Sequence, residues 1–211
     1  MWPFLINHFL CLKCMFVKQI FRTKLTGIVD SKDMNMFKSI FYLFKKLLPT
    51  EIHEWGAVSF SEDNSHGFGN KTNSIKIPSW IRKIGKNSNI PVMIHNHLVN
   101  RSPLPSEKDL FTYAKYGVKY GVTTNEIGTF IVKNNDPNGN KENSVKIKKE
   151  IFKIKLDIVD EFSRDVRELN IENLSNKDKE DLENYVIEHH DRYIEIYINV
   201  LANNGFTAIF I

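Results

Sequence analysis

The chain has 211 residues, a formal net charge of +4, and 42% hydrophobic against 26% charged side chains. These proportions exclude a disordered chain and one built of membrane spans throughout. The length suffices for one full hydrophobic core or one domain with an appendage, and the second is expected. The charge is small and the lysines are scattered among Asn and Ile, so no nucleic-acid-binding motif stands out.

Residues 1–30 form an apolar and basic leading segment. The stretch from Trp2 to Phe16 is broken by Asn7, His8 and Lys13. It lacks a basic start and a small-residue cleavage site, and it is shorter than the roughly 20 apolar residues of a span. Neither a signal peptide nor a transmembrane helix is expected. Leu5, Phe9, Leu12, Phe16 and Ile20 recur at helical spacing, which predicts a packing helix ahead of one lying on a membrane surface. Cys11 and Cys14, the only cysteines, make neither a disulfide framework nor a four-cysteine zinc site. Reduced thiols and a cytoplasmic location are expected.

Ser31 is the expected cap of a helix whose apolar stripe is Met34, Phe37, Phe41, Phe44 and Leu48, ended by Pro49. Trp55 to Phe60 reads as a strand, Ser61 to Asn70 as a polar turn region, and Ser74 to Ile77 as a second short strand. Ile90-Pro91-Val92-Met93-Ile94-His95-Asn96-His97 reads as a buried strand. Side chains i and i+2 share a face of a strand, so His95 and His97 point the same way. After the loop Leu98 to Pro105, Ser106 opens a helix to about Tyr116, stopped at Gly117. Tyr120 to Thr124 and Thr129 to Val132 read as strands around a turn. The order predicts an α/β domain with the histidines on an internal strand.

Asn134 to Asn143 is the best linker candidate. Beyond it, Ile147 to Leu169 and Leu182 to Val200 keep a helical period, the second run preceded by a capping-box pattern at Ser175 and Asp178. A C-terminal helical hairpin over 144–211 is expected, with Gly205 as its stop and Phe206 to Ile211 as a final strand.

Two same-face imidazoles joined by a carboxylate, Asp109, from the next helix start make three ligands with a fourth position open, the arrangement of a catalytic zinc ion. Ser106-x-x-Asp109 is also close to a capping box, and both roles can coexist. His-x-His followed by Ser-x-x-Asp, with His53-Glu54-Trp55-Gly56-Ala57-Val58 upstream, resembles the JAB/MPN (JAMM) metallopeptidase family, including its RadC-like and phage-associated branches. The resemblance covers roughly residues 50–133. It departs from the family pattern in having Leu98 where Pro is usual, and eight rather than seven residues from there to Ser106.

The resemblance implies a cytidine-deaminase-like three-layer domain with a central mixed sheet over 31–135. It also implies Zn2+ held by His95, His97 and Asp109, Glu54 as general base with Glu51 as alternative, and Ser106 beside the oxyanion. The implied reaction is hydrolysis of a peptide or isopeptide bond in a protein or ubiquitin-like substrate. Two alternatives stay open: a zinc-binding scaffold in DNA or particle assembly, and a catalytically weak binding module. In Glu188-His189-His190-Asp191, adjacent residues diverge by about 100° on a helix, so no second metal site is expected. His189 is expected in the core or an interface, and His53, His66 and His190 at structural or surface positions.

Overall fold

Short β-branched runs separated by turns assemble into a six-stranded mixed sheet in the computed structural model, which describes residues 25–47, 54–69, 76–98, 101–169 and 173–211. The strands are β1 (Trp55–Ser61), β2 (Asn64–Gly69), β3 (Ile90–Asn96), β4 (Val118–Thr124), β5 (Thr129–Asn134) and β6 (Phe206–Phe210), in the order β2-β1-β3-β4-β5-β6. The helices are α1 (Met34–Leu47), α2 (Ser79–Asn87), α3 (Glu107–Lys115), α4 (Pro137–Glu142), α5 (Ser144–Asp165), α6 (Asn176–Glu188) and α7 (His190–Asn203). β3 and β4 are parallel and the other neighbours antiparallel. A parallel pair needs a crossover, and α3 supplies it.

Both faces of the sheet are covered, which is why the central strands are nearly continuous apolar runs. Ala57, Ile94, Val122 and Ile131 pack against Phe37 and Ile40 of α1 together with Leu25, Ile28 and Val29. On the other face Val58, Met93, Phe130 and Val132 meet Leu110 and Tyr113 of α3, the α5 stripe Ile147, Ile151, Ile154, Ile158 and Phe162, and Tyr193 and Leu201 of α7. The helices after residue 144 thus share a core with the sheet, and β6 returns to pair with β5. Gly117, at φ 58°, ends α3 in the left-handed conformation that a side chain would strain.

Local reading and structure part in several places. The polar turn region contains β2, which hairpin pairing with β1 recruits despite its weak propensity. Ser74 and residue 75 lie outside the described residues, while Lys76 and Ile77 are not in a strand, because Pro78 leads directly into α2, a helix not anticipated. The linker candidate holds α4: Asp136 caps Gly139 N, and the buried Asn140 side chain donates to Asn134 at 2.6 Å. Its Asn, Asp, Pro and Gly residues are caps rather than slack. Ser31 starts a 3-10 turn with no side-chain cap instead of capping α1. The second helical run is divided at His189, whose φ of −108° and ψ of 24° leave the helical region. Residues 1–24, Leu48, Pro49, Glu51, His53 and the side chain of Phe44, for which the sequence sets expectations, lie outside the described residues. Among the described residues, no helix is long and apolar enough to cross a membrane.

Charge ties the approach to α1 onto the sheet. Lys119 and Lys133 donate to Asp30 at 2.8 and 2.7 Å, and the Tyr120 hydroxyl donates to Asp33 at 2.9 Å. The lysine hydrogen bonds hold the Asp30 carboxyl well below the usual carboxylate range. Burial opposes the charge on Lys119, but Asp30 and Asp33 outweigh it and raise the lysine above its usual value. A depressed carboxylate contributes stability above its unfolded pKa of ~3.9 and loses it as pH falls; a raised lysine contributes below ~10.4 and loses it as pH rises. Lys119→Met is therefore expected to lower stability by about 1 kcal/mol at neutral pH. In urea unfolding, the gap between variant and parent should begin to close below about pH 4.

Candidate metal centre

Met93 and His95 face the helices α3 and α5, while Val92 and Ile94 face α1. His97 lies one residue beyond β3, but its N–H still bonds Thr124 O at 2.9 Å, so it keeps the face of His95. The chain then loops over the carboxyl ends of β3 and β4, where open α/β sheets place ligands, and enters α3 through a capping box. Asp109 N donates to Ser106 Oγ at 3.3 Å, while Asp109 Oδ2 accepts from Ser106 N at 2.8 Å and Ser106 Oγ at 2.7 Å. These bonds fix Oδ2 and leave Oδ1 turned toward His95.

His95 Nε2 lies 3.1 Å from His97 Nε2 and 3.3 Å from Asp109 Oδ1, and His97 Nε2 lies 3.6 Å from Asp109 Oδ2. Ligands ~2.0–2.1 Å from a tetrahedral ion stand roughly 3.3–3.4 Å apart. Octahedral neighbours at that distance would stand about 2.9 Å apart. The separations, two of them to different Asp109 oxygens, bring the donors within the span of one coordination sphere. Among the described residues, this is the one group of His, Cys, Asp and Glu side chains gathered closely enough to hold a metal ion.

The outward nitrogen of His97 sets its tautomer. His97 Nδ1 lies 2.7 Å from Ser102 O, which only accepts, so Nδ1 carries the proton and neutral Nε2 presents a lone pair. His95 Nδ1 faces the Tyr113 hydroxyl at 3.4 Å. Metal-bound histidines characteristically donate their second N–H to such an oxygen. Ser102 is itself fixed from a distant element, its N–H donating to Glu183 Oε1 on α6.

Burial opposes the Asp109 charge, but the two histidines overcome it and hold the carboxyl well below its usual range. Burial likewise opposes a charged His97, and the Asp109 hydrogen bond and charge outweigh it, raising the imidazole. In the absence of a metal, a proton on His97 answers the carboxylate. Metal and proton therefore compete for one place.

Antiparallel pairing sets Gly56 opposite His95, and continuing that register by two residues sets Glu54 opposite His97. Glu54 lines the same cavity as the three candidate ligands and Ser106. Burial raises its pKa, against the lowering pull of His97 and His95. All five expected site residues are thus brought together, although the Ser106 hydroxyl is engaged in the capping box. Glu51, the alternative base, lies outside the described residues. His189 is exposed rather than in the core: the chain leaves the helix there, and the ring lies over Tyr185 at 4.3 Å between centroids. His66 is exposed on β2, edge-on to Trp80.

Tyr113, Ser102 and Glu183 were not anticipated. Tyr113 follows Asp109 by four residues, the spacing that puts two side chains on one helix face, so a signal existed. The Ser102 contribution is a backbone carbonyl, and Glu183 is 81 positions away, so neither carries a local signal. The chain matches no family model, no curated protein and no solved structure.

Two outcomes follow from this shell. Glu183→Ala should weaken metal binding on the order of 10–100-fold by loosening the Ser102 carbonyl that orients His97, with Glu183→Gln restoring part of it through its amide oxygen; competition with a chromophoric chelator measures both. Since the ligands bind metal only when unprotonated, acidification through about pH 6 should release the ion, which dialysis and elemental analysis at stepped pH would follow.

Proposed function

We propose that the protein is a zinc-dependent hydrolase of JAB/MPN type that cleaves a peptide or isopeptide amide. The observation that carries this reading is the convergence of two imidazoles and a carboxylate in one cavity with a half-buried glutamate that is not part of the triad. A closed structural zinc site has four protein ligands, whereas a catalytic one has three and an open position. Bound there, zinc would supply Lewis acidity, which polarises an amide carbonyl and acidifies water.

The protein's own groups divide the remaining work. His95, His97 and Asp109 would hold the ion beside Glu54. With its pKa raised toward the working pH by burial, Glu54 takes the proton of the attacking water and returns it to the leaving amine, as a general base and then a general acid. The Ser106 hydroxyl is half-buried at the cavity; turning from Asp109 Oδ2, it would donate to the developing oxyanion. The apolar walls restrict competing water. A protein or peptide is the substrate class.

One observation favours a second reading, a metal-binding module with weak hydrolysis used for binding or assembly. Ser106 Oγ is spent on Asp109 Oδ2, so its oxyanion role costs part of the capping box. Two variants separate the readings. Glu54→Gln keeps the shape and should retain full metal content while losing at least ~10²-fold in turnover of a model peptide amide. Ser106→Ala should lower stability by about 1 kcal/mol in either case, and only in the hydrolase should it also lower turnover by ~10²-fold. Unchanged turnover in both variants would contradict the assignment of these groups.

A further inference from the structure

The cavity around the triad is larger than a metal ion and its water require. Its volume is about 470 Å3, against a liquid volume near 30 Å3 for one water, and lies in the range of small-molecule sites. One part of its wall carries Glu54, His95, His97, Ser106 and Asp109. Another part comes from the helices after residue 144 and is largely apolar: Ile151, Ile158, Leu182, Val186 and Tyr197. The charged residues that these helices add are Lys155, which is exposed, and Glu183, whose carboxylate is bound to Ser102 N.

Tyr197 is the exception within the apolar part. The residue is only 8% exposed and its ring stands edge-on to Phe130, while its hydroxyl makes no hydrogen bond to the described residues and keeps some accessible surface at the cavity. Burial, with the negative charges of Glu107, Glu183 and Asp109, raises its pKa, so it remains a protonated donor. An apolar wall holds water poorly, and a single donor left open beside it suits a ligand that is apolar in bulk and carries one acceptor.

We propose that this wall is a specificity pocket, taking a large apolar side chain, aromatic or branched aliphatic, from a residue flanking the scissile amide while the Tyr197 hydroxyl donates to a carbonyl oxygen of the bound peptide. The inference rests on the reading of the site as an amide hydrolase. A substrate with glycine at that position leaves the apolar wall facing water and is disfavoured. The pocket is contributed by α5, α6 and α7, so these helices set substrate choice while the sheet and α3 carry the chemistry.

The test compares N-acetyl amides of phenylalanine, leucine and glycine on the full chain, with and without zinc. Binding to the zinc-free protein is followed by titration calorimetry, and hydrolysis of the corresponding peptides is followed on the zinc-loaded protein. The phenylalanine and leucine amides should bind at least ~10-fold more tightly than the glycine amide, since one large side chain is removed from water. Val186→Trp, at a half-buried position on the pocket wall, should abolish that preference. Tyr197→Phe should weaken all three amides alike and keep their order. Equal binding of the three amides by the unaltered chain overturns the pocket, whether or not the variants fold. A preference that survives Val186→Trp in a folded variant also overturns it. Ordered binding without hydrolysis of any peptide supports the pocket and removes the peptidase reading.

Discussion

Two imidazole nitrogens and a carboxylate oxygen, each presenting lone pairs, converge at the carboxyl end of β3. With His95 and His97 Nε2 3.1 Å apart, three acceptors face one another across a space that only a cation or a proton satisfies. Isolated, such a cluster would separate, because buried acceptors without a donor are costly. It is held because each ligand is fixed from behind: His97 by the Ser102 carbonyl, His95 by Tyr113, and Asp109 by the capping box. The fold provides these supports together. The parallel pair β3 and β4 needs a crossover, and that crossover brings the start of α3, with Asp109 in its first turn, across the strand end that carries the histidines.

The C-terminal helices join this arrangement at two levels. In packing, α5 lies on α3 and α7 on β6, completing the apolar layer on the histidine face. In the site, Glu183 of α6 fixes the backbone that orients His97, and the side chains of α5, α6 and α7 close the cavity. A disturbance of these helices therefore reaches the candidate metal site through one hydrogen bond, from Ser102 N to Glu183, without any contact to the triad.

Much of this was legible where one periodic pattern decides the outcome. The period of two in Val92 to Asn96 determines that His95 and its successor share a face, and the α5 stripe from Ile147 to Phe162 follows the helical period to within a few residues. Ser-x-x-Asp signalled a cap at both Ser106 and Ser175, and both capping boxes are formed. Legibility ended where tertiary pairing overrides local preference. Asn64 to Gly69 is polar and glycine-rich, and becomes a strand only because β1 offers it a ladder. Asn134 to Asn143 reads as slack, yet its polar side chains cap one another and a helix. The break at His189 was hidden because the apolar period continues on both sides, so the exposure of that residue followed the chain geometry and not the pattern. Glu183 and the Ser102 carbonyl were beyond reach for a different reason: their meeting depends on the packing of an element far along the chain.

The central claim is that His95, His97 and Asp109 together hold one catalytic metal ion. Elemental analysis of the protein purified from zinc-containing medium, beside a His95→Ala/His97→Ala variant shown to be folded by its helical signal, tests it most directly. The account predicts one zinc per chain in the parent and none in the variant. Stoichiometric zinc in both proteins, or none in the parent after reconstitution at neutral pH, would contradict it.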